Sequence, residues 1–140
     1  MTLIVDAAPL VALADAADRL HESVKSILVS EPGPLVIPAP VTAEVDYLLG
    51  VRHGHPARRR FLADLAAGRF TVGCLEGEDH ATVAEIDLRY ADLGLGLADC
   101  SLVVLAHRHA TVRLLSFDER HLRAVAPIGG GAFTILPADG

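Results

Sequence analysis

Five short apolar runs punctuate this chain, and the stretches between them carry helical spacing. TLIV (2–5), LVI (35–37), RFTVGCL (69–75), VRLLSF (112–117) and FTIL (133–136) are each stopped by Pro, Gly or Asp, or by a change of period. Runs this short, separated by helices of roughly 10 to 15 residues, imply parallel strands joined by helical crossovers. RFTVGCL alternates like a strand, LVI is apolar throughout, and short apolar strands spaced by helices imply a sheet covered on both faces. The expectation is an α/β protein with three layers, α/β/α, around a central and mainly parallel sheet. Its 140 residues suit a single domain over 1–140.

The helical stretches are PLVALADAADRL (9–20), HESVKSILV (21–29), VTAEVDYLLGV (41–51), ARRRFLADLAA (57–67), EDHATVAEIDLRYADL (78–93) and DERHLRAV (118–125). Pro9 suits a first turn, and Pro38 and Pro40 are expected to end the second strand before a helix begins at Val41. In the 78–93 stretch Val83, Ile86, Tyr90 and Leu93 share one face. The core must be aliphatic, because 51% of the residues are hydrophobic while aromatics are only 4% and Trp is absent. Cys74 and Cys100 sit in apolar company and are expected to be small buried hydrophobes rather than a disulfide. No apolar run approaches the ~20 residues of a membrane span, and MTLIVDAAPL lacks a signal-peptide pattern, so the expectation is a soluble cytoplasmic protein without a membrane partner.

In open parallel sheets, sites form beyond the carboxyl ends of the strands. Asp6 directly follows TLIV and Asp118 follows VRLLSF, so both carboxylates belong to that edge, although an Asp between strand and helix is also an ordinary N-cap. On 41–51, Val41, Val45 and Leu48 form an apolar stripe with Glu44 on its margin, which predicts an inward Glu44 and a solvent-facing Asp46. GLGLADCSLVVLAHRH (94–109) poses the sharpest question. LADCSLVVLA is apolar all round and so is buried, yet Asp99 stands in its first turn. The helix dipole returns about 1 kcal/mol to such a carboxylate, whereas sequestering it costs several, so Asp99 needs a cation or a cleft. Gly94 and Gly96 before it permit a tight turn or a close backbone approach.

Convergence of Asp6, Glu44, Asp99 and Asp118 would raise carboxyl pKa values unless a divalent metal neutralised the cluster. An all-oxygen set suits Mg²⁺ or Mn²⁺, and the matching chemistry is hydrolysis of a phosphodiester by an activated water. Other classes fall away. There is no Walker or dinucleotide glycine motif. A phospho-accepting receiver needs an acidic pair and a late lysine, and Lys25 is the only lysine. Net charge −6 argues against a nonspecific nucleic-acid coat but not against a local basic groove.

Four segments, LIVDAAPLVAL, VTAEVDYLL, GLGLADCSLVVLAHRH and LLSFDERHL, in this order and spacing, resemble the PIN-domain ribonucleases, and within them the VapC-like toxins of type II toxin–antitoxin pairs. The resemblance runs the length of the chain. It implies a Mg²⁺- or Mn²⁺-dependent endoribonuclease with Asp6, Glu44, Asp99 and Asp118 as metal-binding acids and Ser116 at the small-hydroxyl position before the last Asp. It also implies a homodimer and a cognate antitoxin whose tail fills the active-site groove. Two departures stand out: Ala7 and Ala8 replace the Ser or Thr that often follows the first Asp, and Glu119 is an alternative to Asp118 as fourth acid.

Arg58, Arg59 and Arg60, with Arg52 and His53 upstream, are candidates for RNA phosphate contacts. Leu48, Leu49, Phe61 and Leu65 are candidates for a groove that accepts a partner's amphipathic segment. The histidines at 53, 55, 107 and 109 lack zinc-ligand companions, and Arg108, Arg120, His121 and Arg123 read first as exposed. The alternative function is a PIN-like module that binds RNA or protein without cleaving it.

Overall fold

A computed structural model describes the whole chain, residues 1–140. Strands β1 (Leu3–Val5), β2 (Leu35–Pro38), β3 (Thr71–Gly73), β4 (Arg113–Leu115) and β5 (Thr134–Leu136) form one sheet in the order β3-β2-β1-β4-β5. Every pairing is parallel. Leu3, Ile4 and Val5 are consecutive and all 0% exposed. Because neighbouring strand residues point to opposite faces, both faces of the sheet are covered at β1, as expected of short apolar strands between helices.

The covering elements are α1 (Ala7–Leu13), α2 (His21–Ser30), α3 (Ala39–His53), α4 (His55–Ala66), α5 (Gly77–Arg89), α6 (Gly96–Arg108) and α7 (Glu119–Leu122). A 3₁₀ turn at Ala91–Leu93 follows α5. The predicted 9–20 helix stops at Leu13, because Asp15 and Asp18 turn their carboxylates onto the backbone N–H groups of Ala17 and Leu20 (3.0 and 2.8 Å). Such local bonds compete with the helical ladder. Pro38 belongs to β2, and α3 starts at Ala39 with Pro40 inside its first turn, where a missing N–H costs nothing.

Helix α6 is the central support. Its residues Cys100 to Ala106 are all buried, and it packs against β1, β2 and β4 as well as α3 and α5. Gly73 lets it approach β3: a Cβ there would lie 2.5 Å from Leu105 Cδ1 and 3.1 Å from Val36 Cγ1. Gly94 (φ 61°) and Gly96 (φ 79°) serve a different need, since nothing lies within 4 Å of a Cβ at either. They supply left-handed turns into α6 rather than a close approach. Cys100 is buried and Cys74 exposed, both as free thiols, which overturns the expectation of burial for Cys74. That residue lies just past Gly73, at the end of an edge strand whose Thr71 and Val72 are also exposed. No helix is long and apolar enough to cross a membrane.

Candidate active site

The strand order reverses beside β1: β2 and β3 lie on one side, β4 and β5 on the other. Crevices beyond the carboxyl ends of strands at such a point are the usual sites of open α/β sheets. Val5 pairs with Leu115, so the next residues along, Asp6 and Ser116, emerge side by side. The Ser116 hydroxyl donates to Asp6 Oδ2 at 2.7 Å, while Asp6 Oδ1 accepts the Ala7 N–H at 2.8 Å and so caps α1. Burial pushes the Asp6 carboxyl up, Ser116 and Ala7 pull it back, and the charge of Asp118 pushes it further up.

Ser116 also accepts the N–H of Asp118 at 3.1 Å, so one buried hydroxyl ties the two acidic positions together. Asp118 caps α7 through Oδ1, which accepts the His121 N–H at 3.2 Å, and Asp118 Oδ2 lies 2.8 Å from His121 Nδ1. The capping role read from sequence and the position at the strand edge therefore coexist in both Asp6 and Asp118.

Asp99 enters from α6 and is half-buried. Its carboxyl is pushed up to about 6, first by burial, then by the charges of Asp6 and Asp118, with His121 opposing and Glu44 adding slightly. It therefore stands in a cleft among other acids. None of the chain's salt bridges involves Asp6, Glu44 or Asp99, and the only one at Asp118 is with His121.

Glu44 is exposed, not inward. The buried stripe of α3 is Val41, Val45 and Leu49 rather than Val41, Val45 and Leu48, which rotates Glu44 away from the core. It still reaches the rim of the cleft, since partial burial and then the charge of Asp6 raise its carboxyl. Glu119 points elsewhere, into an ion pair with Arg123 at 2.8 Å. Asp99, Asp118 and His121 each offer one ligand atom, all within 4.8 Å of one another. His121 is thus half-buried inside the cluster, where the sequence suggested an exposed side chain; the signal for it was the i,i+3 spacing from a capping Asp. Burial raises the Cys100 thiol to about 11, so it is no nucleophile for this cleft.

Arg58 is committed to Asp46 at 3.2 Å and to His55 at 3.3 Å, so Asp46 is not the free solvent-facing acid expected. Arg59 and Arg60 are exposed. Arg60 stands at the rim of an apolar groove of about 250 Å³ between α1, α3 and α4, lined by Leu10, Leu13, Leu49, Phe61 and Phe70. Leu48 and Leu65, expected in such a groove, pack against the core instead.

Comparison with known proteins gives the arrangement a lineage. The PIN domain family model matches residues 3–127. Ribonuclease VapC26 of Mycobacterium tuberculosis (strain ATCC 25618 / H37Rv) is 38% identical over 135 residues, spanning 96% of this chain and 100% of that protein. The crystal structure of Mycobacterium tuberculosis VapC20, described as a sarcin–ricin loop cleaving toxin, superposes with a TM-score of 0.76 at 22% identity, covering 83% of this chain and 89% of the other. VapBC2 from Rickettsia felis, solved bound to a DNA fragment from its promoter, gives 0.69 at 12% identity over 96% of this chain and 98% of the other. The sequence match to a VapC ribonuclease, the family model and the shared five-stranded parallel fold agree: this chain belongs to the PIN domain family, in its VapC branch.

Proposed function

We propose that this protein is a metal-dependent endoribonuclease and the toxin of a toxin–antitoxin pair, with Asp6, Glu44, Asp99 and Asp118 as its metal-holding acids. One observation carries the reading. Acids that follow β1 and β4 and acids on α3 and α6 gather at one sheet edge; burial and mutual charge raise the carboxyls of Asp6, Glu44 and Asp99, and no Arg or Lys neutralises these three. Oxygen donors at the mouth of a cleft, without a cationic partner, fit Mg²⁺ or Mn²⁺, hard ions that retain several waters. When bound, such an ion supplies an activated water and stabilises the leaving oxygen of a phosphodiester.

The chain's own residues do the positioning. Ser116 fixes the Asp6 carboxylate, leaving it facing the cleft, and the same hydroxyl orders the backbone of Asp118. Asp99 directly precedes the unbroken buried run Cys100 to Ala106 of α6, so its carboxylate is anchored on a fixed backbone. Glu44, at the rim, is free to move inward as charge is neutralised. The exposed guanidinium groups of Arg59 and Arg60 supply forked contacts for RNA phosphates on an otherwise acidic surface. The apolar groove beside them receives the antitoxin's segment, and a second copy of the chain completes a homodimer.

The test is incubation of purified protein with structured RNA and Mg²⁺ or Mn²⁺, beside Asp99→Asn. Cleavage by the first and not the second supports the proposal. Binding without cleavage by either favours a scaffold that holds RNA or protein, and equal cleavage by both exposes a contaminant.

A further inference from the structure

We infer that His121 is a nitrogen ligand of the metal centre, making it selective for Mn²⁺ over Mg²⁺. The inference rests on the metal-dependent reading of the same cleft and adds a donor that reading does not contain. Three facts point to it. The ring of His121 lies one helical turn beyond Asp118, with Nδ1 2.8 Å from Asp118 Oδ2. One ligand atom from each of Asp99, Asp118 and His121 lies within 4.8 Å of the other two. Glu44, the fourth acid of the proposed set, is exposed and outside that grouping.

The spacing suits shared coordination. Two donors bound at about 2.1 Å to one octahedral ion sit about 3 Å apart on adjacent vertices and about 4.2 Å apart on opposite ones. The Nδ1 of His121 and Oδ2 of Asp118, hydrogen-bonded at 2.8 Å, already stand close to the first value, so an ion would take the place of the bridging proton, and a closure of about 0.6 Å would bring the widest allowed separation to the second. The burial is also suitable, since the His121 and Asp118 side chains are 28% and 34% exposed, open enough for an ion to enter with its waters. The imidazole contributes a donor without adding a further negative charge to the three carboxylates already gathered there. Its effect on selectivity follows from ligand softness: Mg²⁺ takes oxygen almost exclusively, whereas Mn²⁺ accepts imidazole and stands on the series that rises toward nitrogen-loving ions.

The test uses the full chain loaded with Mn²⁺. Electron spin echo envelope modulation should show coupling to a directly bound ¹⁴N, replaced by the ¹⁵N pattern in unmutated protein carrying ¹⁵N-labelled histidine. The coupling should vanish in His121→Gln, in which α7 keeps its cap because Asp118 binds the backbone N–H of residue 121. Calorimetric titration should show the preference for Mn²⁺ over Mg²⁺ falling about tenfold in that variant. Mn²⁺ that binds in an Asp99-dependent way without nitrogen coupling, and with an unchanged preference in His121→Gln, overturns the inference: His121 then only orients Asp118. Failure of Mn²⁺ to bind, or binding indifferent to Asp99→Asn, overturns the metal reading itself along with it.

Discussion

Asp99→Asn is expected to stabilise the metal-free protein at pH 7.5 while abolishing cleavage of RNA. The carboxyl of Asp99 is raised from its ordinary 3.8 to about 6, chiefly by burial and by the charges of Asp6 and Asp118. Taken in full, that difference corresponds to about 3 kcal/mol of unfavourable interaction with the ionised form. The carboxylate is only half-buried, and solvent screening reduces the figure to ~1.5 kcal/mol. A group whose carboxyl is raised by folding favours the fold while protonated, and that contribution is lost as pH rises through about 6. The penalty is thus fully present at pH 7.5, shrinks as pH falls through about 6, and is gone only below the ordinary value of 3.8. Asparagine keeps the shape and removes the charge, so in EDTA at pH 7.5 it should melt roughly 5 °C higher than the unmutated chain. Near pH 3, below the ordinary value of 3.8, the two should melt together. Added Mg²⁺ or Mn²⁺ should raise the melting temperature of the unmutated protein and leave the variant nearly unchanged. A variant that melts lower in EDTA at pH 7.5 would refute the reasoning, because Asp99 would then be held by a favourable contact and not crowded by like charges.

Ser116→Ala removes a hydrogen bond to a buried carboxylate and should cost about 1–2 kcal/mol in denaturant melts at neutral pH, with weaker Mn²⁺ binding by calorimetry. Arg113→Met strips the paired guanidinium from Glu31, whose side chain is 3% exposed, and should cost about 2 kcal/mol at pH 7. Arg113 holds the Glu31 carboxyl below its ordinary value, so the pair's contribution is present above pH 4.5 and fades on further acidification; urea melts at pH 7 and pH 3 should show the gap between the two proteins closing. Gly73→Ala drives a Cβ into Leu105 beneath α6 and should cost about 1–3 kcal/mol in urea melts.

Much of the fold was legible because burial on both faces leaves a plain mark, three or four apolar residues in a row between helical stretches. The register that sets Asp6 beside Ser116 was not legible, since nothing in a short apolar strand says which residue of a distant strand it pairs with. Asp6, Asp118 and Asp99 stood out for separate physical reasons: two follow strands, and one is a charge on a helix with no polar face. Glu44 was misplaced because a stripe drifts around a helix, and a shift from Leu48 to Leu49 moves a marginal residue outward. The early end of α1 came from side-chain turns at Asp15 and Asp18, which a count of apolar periodicity does not register. His121 was read as exposed because α7 is a single turn, too short to display a face, and its place depends on Asp118 being a cap. Arg58 shows the converse limit, since the acid that occupies it lies on the preceding helix.

The most direct measurement is an anomalous difference map from crystals of the protein grown with Mn²⁺, recorded on either side of the manganese absorption edge. The expected result is a peak about 2.1–2.2 Å from carboxylate oxygens of Asp99 and Asp118, with Asp6 facing it through direct or water-mediated contact. A cleft without that peak, its carboxylates drawn instead to arginines, would contradict the assignment of these acids to a metal.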